Sequence, residues 1–388
     1  MVFWTSLFML LWCHMDVFIL STEFSSKDVF SQSLIWLTLG ATMLAFLSNR
    51  KRKMLWIVLL AVCIMTFLSV SLLMLYIFFE MSLVPIFMMI ILWGSQPERF
   101  EAVTFFVIYT SLVSIPFLMV VISLKADCVF SFNQMCISGP TLILMMAPFL
   151  VKLPVYGLHF WLPKAHVEAS TTGSMILASL MLKLGGYGLL RVTSISSLPQ
   201  TSTVFFLITA TVSSILTAMQ SDMKKLVAFS SVTHMTYMAM APMCSNTKMV
   251  FSMMILSLSH AWISSGLFFS TGSFTHASQS RSSVLLMMEG KLNWMRLIIA
   301  ILLMGNASIP PTPSFFPELI LLNSLSLFSG FLMLTFVFFS IMVCYYNTLL
   351  FLFLSRETSN TCNKTTLLSE SSVVLLHVLL FVLSLLWL

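Results

Sequence analysis

The sequence predicts an all-α polytopic membrane protein with about 13 transmembrane helices. Three observations predict it. Hydrophobic residues fill 59% of the 388 positions and charged residues only 8%. Mean hydropathy is +1.01, and apolar runs of spanning length recur almost from end to end. A soluble globule would carry roughly a quarter charged residues, and a membrane barrel would show short alternating segments rather than long continuous runs.

In chain order the spans are expected near residues 1–20, 31–48, 54–70, 71–93, 102–124, 140–162, 170–191, 203–219, 223–243, 248–272, 293–326 (interrupted), 329–354 and 371–388. The first has neither a basic start nor a small-residue cleavage site, so no cleavable signal peptide is expected. The formal charge of +6 has one dense patch, Arg50, Lys51, Arg52 and Lys53, between the second and third spans. That patch reads as a loop obeying the positive-inside rule; nucleic-acid binding would need a larger basic face interleaved with aromatic residues.

Several chemistries find no support. No two of the seven cysteines form a CxxC pair, which leaves no metal, cluster or disulfide framework. None of the thirteen glycines falls in GxGxxG or GxxxxGK[ST], so NADH, flavin and ATP find no binding motif on this chain. The 31 methionines are scattered through apolar spans and read as core packing.

What remains are ionisable residues inside apolar segments. A charged lysine at mid-membrane costs roughly 2.5–3.5 kcal/mol on insertion scales, and such residues usually face a protein interior or a watery path. Glu80 sits in LMLYIFFEMSLVPIFMMIILW, five residues before Pro85, with nothing near it in sequence to neutralise it. It needs a partner from another helix. Lys152 lies two residues before Pro154, which removes a helical hydrogen bond and frees the carbonyl of Leu150. The helix is therefore expected to break at the lysine, as helices do where transporters place their sites.

Lys183 follows in the next span, just before Gly185, Gly186, Tyr187 and Gly188. Relay and snorkelling to the interface are both open to it, whereas Arg191, nearer the helix end, is expected to snorkel. His234 and His260 lie on adjacent spans, each preceded by small hydroxyl residues able to support a water chain; a satisfied core histidine is the alternative. Near 301–325, Pro310, Pro311, Pro313 and Pro317 precede Glu318, a second interrupted span with a buried acid. Paired broken segments make the halves look like pseudo-repeats. Lys225, beside Asp222, could reach inward or stay interfacial, and His159 and His166 are further candidates beyond the break.

The strings FFEMSLVPIFMMIILWGSQPERFEA, LVKLPVYGLHFWLPKAHVEAS, GSMILASLMLKLGGYGLLR, SDMKKLVAFSSVTHM and IPPTPSFFPEL, in this order, resemble the subunit 4 family of the proton-pumping NADH:ubiquinone oxidoreductase, respiratory complex I. The resemblance runs from about residue 50 to 355. It implies two inverted five-helix repeats, each with a broken helix, dividing the chain into N-terminal helices (1–53), a first antiporter-like repeat (54–200), a second (201–355) and a C-terminal helix (356–388). It also implies a proton relay of Glu80 ion-paired with Lys152, then Lys183, the connecting histidines His234 and His260, and Glu318.

No cofactor is expected on this chain; FMN, iron–sulfur clusters and ubiquinone belong to partner subunits. Those partners would include the antiporter-like subunits 2 and 5, accessory subunits and phospholipids such as cardiolipin, in the mitochondrial inner membrane. Two departures stand out: Ser170 replaces the proline of HVEAP, and Pro317 directly precedes Glu318. A stand-alone cation/proton antiporter subunit is the alternative, distinguished by Glu318 in place of a lysine; a passive structural subunit is a third.

Overall fold

The computed structural model describes residues 28–49, 53–94, 96–124, 139–195, 202–243, 247–278, 288–289, 293–326, 330–355, 357–358 and 364–384. The expected first span, 1–20, and Arg50 to Arg52 of the basic patch lie outside them. Leaving aside a two-residue pairing of Met288–Glu289 with Glu357–Thr358, the described architecture is helical.

The first half of the chain comprises α1 (Val29–Ser48), α2 (Lys53–Leu68), α3 (Leu72–Trp93), α4 (Arg99–Ser123), α5 (Gly139–Lys152), α6 (Trp161–Glu168) and α7 (Thr171–Ile195). The remainder comprises α8 (Ser202–Ala218), α9 (Met223–Met238), α10 (Thr247–Ser278), α11 (Asn293–Asn306), α12 (Phe315–Ser326), α13 (Gly330–Ser355) and α14 (Lys364–Leu383). Among the described residues, six stretches are long and apolar enough to cross a membrane: α1, α3, α4, α7, Lys248–Thr275 of α10 and Gly330–Leu354 of α13. With the shorter apolar helices between them, this is a multi-pass membrane protein.

Burial sorts the helices into layers. In α7 and α10, 89% of the spanning residues are buried inside the protein, against 33% in α4 and α13. The first pair is the centre; the second presents residues such as Leu112, Met119, Leu334 and Ile341 outward. Central α10 packs on α7, α9, α11, α12 and α14. Hydroxyl groups within these helices are satisfied locally, by carbonyls three or four residues back, as for Ser213, Ser231 and Ser259. That lets these hydroxyls sit at membrane depth with their own hydrogen bonded.

Three interruptions shape the centre. The first separates α5 from α6. Pro154 cannot donate to the Leu150 carbonyl, and Val155 N–H reaches it instead at 3.2 Å, while Gly157, at φ +98°, turns the chain. Trp161, the first residue of α6, donates its indole N–H to the Val151 carbonyl at 2.8 Å and ties the restart to the break. The second lies between α11 and α12, where Ile309 N–H reaches the Met304 carbonyl at 3.1 Å and Ser314 Oγ donates to Gly305 at 2.6 Å. Both breaks close with the same bond to the carbonyl five residues back, and in that register Asn306 stands where Lys152 does. The third is a π-turn over Leu177–Met181 inside α7.

The two sequence departures are accommodated. Ser170 caps α7, its side chain accepting from Gly173 N–H at 3.3 Å. Pro317 is the third residue of α12, within the first turn, where a helix does not need the missing N–H.

Candidate functional site: a buried polar line between two broken helices

Lys152 ends α5 and is 1% exposed. Gly185 of α7 makes this placement feasible: a Cβ there would lie 2.8 Å from Leu153 N and 3.0 Å from the Phe149 carbonyl oxygen, so only glycine lets the backbones meet. The resemblance implies an ion pair with Glu80, but the structure shows the two groups apart, with no contact within 4.0 Å. Lys152 Nζ instead donates to the Phe79 carbonyl at 2.7 Å and lies 3.1 Å from the centre of the Phe79 ring. Glu80 Oε1 is buried with no hydrogen-bond partner. The carbonyl and the π face of one residue thus replace a carboxylate one position along, close to the point at Ser82 where the two helical segments of α3, Leu72–Met81 and Leu83–Trp93, meet.

Lys183 sits two residues beyond the π-turn, 1% exposed, so it does not snorkel. Its Nζ donates to the Ala178 carbonyl at 2.9 Å and lies 3.0 Å from His260 Nδ1. While Lys183 is charged it can only donate, so Nδ1 accepts; His260 Nε2 is buried with no hydrogen-bond partner. π-turns recur at functional positions because they displace a carbonyl from the helical ladder; here the displaced region receives an ammonium.

The His260 ring lies 5.7 Å from that of His234, centre to centre. His234 Nε2 is 3.3 Å from the Tyr346 hydroxyl, which is 3.3 Å from Thr233 Oγ1. Beyond Tyr346, Ser308 Oγ donates to Glu318 Oε1 at 2.5 Å, and Tyr237 OH donates to the Glu318 carbonyl at 3.5 Å. Asn306 Nδ2 donates to Asn347 Oδ1 at 2.8 Å, fixing the end of α11 against α13 beside Tyr346. Lys183, His260, His234 and Tyr346 therefore form one buried line across α7, α10, α9 and α13. Lys152 lies at the break before the line, and Glu318 at the break after it.

Three sequence candidates fall off this line. Lys225 is 46% exposed and pairs with Asp222 at 3.1 Å; one residue back, and so 100° around the helix, Lys224 is the buried one. His159 accepts from Gly157 N–H at 3.2 Å and packs among Tyr156, Phe160 and Phe229. His166 stacks on Phe268 at 4.1 Å with neither ring nitrogen hydrogen-bonded. Arg191 pairs with Asp28 and lies over Tyr187, toward the helix end as expected. Conversely, sequence reasoning missed Tyr346, Thr233 as a tyrosine partner, Ser308 and the asparagine pair. The doublet Tyr346–Asn347 in an otherwise apolar run is the signal that could have revealed two of them.

Comparison with known proteins agrees with this architecture. The family model for the transmembrane region of NADH:quinone oxidoreductase and Mrp antiporters matches residues 69–344. NADH-ubiquinone oxidoreductase chain 4 of Rhipicephalus sanguineus is 34% identical over 91% of this chain and 85% of its own length. The chain 4 proteins of Ceratitis capitata and Lumbricus terrestris are each 35% identical, over 87% and 78% of this chain and 80% and 73% of their own. A chain of respiratory complex I from Thermus thermophilus shares the fold at a TM-score of 0.81 and 20% identity, covering 93% of this chain and 81% of its own. A chain of the Mrp complex of Dietzia does so at 0.82 and 15% over the same shares. The chain belongs to the NADH-ubiquinone oxidoreductase chain 4 family, within the antiporter-like membrane subunits of NADH:quinone oxidoreductases and Mrp complexes.

Proposed function

We propose that this chain is a proton-translocating membrane-arm subunit of NADH:ubiquinone oxidoreductase, moving protons along Lys152, Lys183, His260, His234 and Glu318 under the control of Glu80. The observation that carries this reading is the succession of Lys183, His260, His234 and Tyr346 at hydrogen-bonding or ring-contact distances, all four side chains being buried. NADH oxidation and quinone reduction belong to other subunits, which hold the FMN, iron–sulfur clusters and ubiquinone. The neighbours in the membrane are the antiporter-like subunits 2 and 5, with accessory subunits and phospholipids including cardiolipin, in the mitochondrial inner membrane.

The switch is the Glu80 and Lys152 pair. An opposite charge nearby holds a proton on a lysine, and its withdrawal favours release. The arrangement described above, with Lys152 on the Phe79 carbonyl and Glu80 apart, is the separated state. At 4 Å and an effective dielectric near 20, two unit charges interact by about 4 kcal/mol. Moving one charge against 100 mV costs about 2.3 kcal/mol. Closing and opening the pair is therefore large enough to drive one transfer. Quinone reduction elsewhere in the complex would supply the signal, and the proton released by Lys152 would pass to Lys183 and on to Glu318.

The test is Lys152→Ala and Glu80→Ala in the assembled complex. Quinone-coupled NADH oxidation and proton pumping should fall, while NADH oxidation by an artificial acceptor persists. Normal pumping in both variants would refute the relay.

A further inference from the structure

Tyr346 has a hydrogen-bond inventory that does not close in a single arrangement. Its hydroxyl is buried between two groups, His234 Nε2 and Thr233 Oγ1, each 3.3 Å away. Thr233 has already given its own hydrogen to the Ser230 carbonyl, at 2.7 Å. It therefore offers Tyr346 only a lone pair. The tyrosine has one hydrogen and two neighbours able to receive it.

Which neighbour receives it depends on His234. The ring meets the tyrosine through Nε2, so Nε2 is the atom whose gain or loss of a proton the hydroxyl must match. When Nε2 is bare, Tyr346 donates to it. When Nε2 carries a proton, it becomes a donor, Tyr346 must accept, and its hydrogen needs another home. Rotation about the phenol C–O bond carries that hydrogen to Thr233 Oγ1. A buried cationic ring with no acceptor would lose one of the stronger classes of hydrogen bond.

We infer that Tyr346 and Thr233 form a hydroxyl rotor that presents His234 with a donor when Nε2 is bare and an acceptor when it is protonated, so that both states of the ring are satisfied. This rests on the relay reading of His234. No covalent bond of the tyrosine breaks: the proton that reaches Nε2 comes from the relay and returns to it. Tyr346 is thus a positioning residue. The ionisable groups around the pair are His260 and Lys183 on the His234 side, and Glu318 and Cys344 on the Tyr346 side. Asn347 holds the rotor's base by pairing with Asn306 at 2.8 Å.

Tyr346→Phe keeps the ring and deletes the rotor; Thr233→Val keeps the shape and deletes the second resting place; Thr233→Ser restores it. In assembled complex, Tyr346→Phe should lower quinone-coupled turnover about tenfold, equivalent to about 1.4 kcal/mol, and reduce protons pumped per electron. Thr233→Val should do likewise and Thr233→Ser should not. Tyr345→Phe, on the outward face of α13, should leave both readouts unchanged. Normal turnover and stoichiometry in Tyr346→Phe and Thr233→Val, alongside loss in His234→Gln, would overturn the rotor and leave the relay standing. Normal pumping in His234→Gln as well would overturn both. Should Tyr346→Phe fail to assemble, equal behaviour of Thr233→Val and Thr233→Ser would overturn the rotor.

Discussion

Gly185→Ala is the most demanding test of the packing that places Lys152. The added Cβ would lie 2.8 Å from Leu153 N, 3.0 Å from the Phe149 carbonyl oxygen and 3.1 Å from the Lys152 carbonyl carbon. All three are backbone atoms of the segment carrying the lysine, and none can rotate away. Comfortable contact lies at about 3.5–4.0 Å, so α5 and α7 must part by about 0.5–1 Å. Overpacking of this kind costs about 1–3 kcal/mol, and the better helix propensity of alanine returns about 1 kcal/mol. The net expectation is about 0–2 kcal/mol of destabilisation, with Lys152 Nζ pulled off the Phe79 carbonyl.

Gly186→Ala provides the control on the same helix. Its Cβ would meet Met238 Cε and Met253 Cε, both at 3.1 Å, the far ends of flexible side chains that can yield, and Leu153 Cδ2 at an ordinary 3.8 Å. Thermal inactivation of quinone-coupled NADH oxidation in membranes carrying each variant measures the contrast. Gly185→Ala should inactivate at lower temperature and with reduced turnover, whereas Gly186→Ala should match the parent. Indistinguishable curves for the two would refute the backbone-contact argument.

Three further outcomes follow from the site. Lys183→Met leaves the Ala178 carbonyl and His260 Nδ1 without their donor, and quinone-coupled turnover should fall at least about tenfold while artificial-acceptor NADH oxidation holds; retained pumping would remove Lys183 from the path. Lys225→Ala removes only an exposed pair worth about 0–1 kcal/mol, so pumping should stay at the parental level, and a marked loss would show an inward role. Trp161→Phe keeps the ring against Phe106, 4.8 Å away, but strands the buried Val151 carbonyl. A stability loss of about 1–3 kcal/mol is expected in thermal inactivation, and none at all would mean that another donor serves that carbonyl.

Hydropathy alone placed the helices because the bilayer demands a minimum apolar length. The spans expected at 102–124 and 329–354 correspond to Arg99–Ser123 and Gly330–Ser355. The two breaks were legible because proline removes a specific donor, and the ionisable residues because charge in an apolar run is rare. The acceptor for Lys152 was not legible: every residue has a carbonyl, and only the packing of α5 against α3 selects that of Phe79. LASLM gives no sign that Leu177–Met181 forms a π-turn, since the same letters suit an α-helix. Lys224 and Lys225 are alike in sequence, and only the rotation of α9 decides which is buried.

The two breaks have an electrical polarity as well as a shape. A helix carries partial negative charge at its C-terminus and partial positive charge at its N-terminus. Lys152 is in the last turn of α5 and Glu318 in the first turn of α12, so each ionised group lies at the helix end of opposite sign. Such placement contributes about 0.3–1 kcal/mol at exposed sites and up to about 2 kcal/mol in partly buried ones. Uninterrupted helices would put both residues mid-helix, where these partial charges cancel. Cutting each helix at membrane depth therefore creates two oppositely poled sockets, and a lysine could not exchange places with the acid without facing the wrong pole.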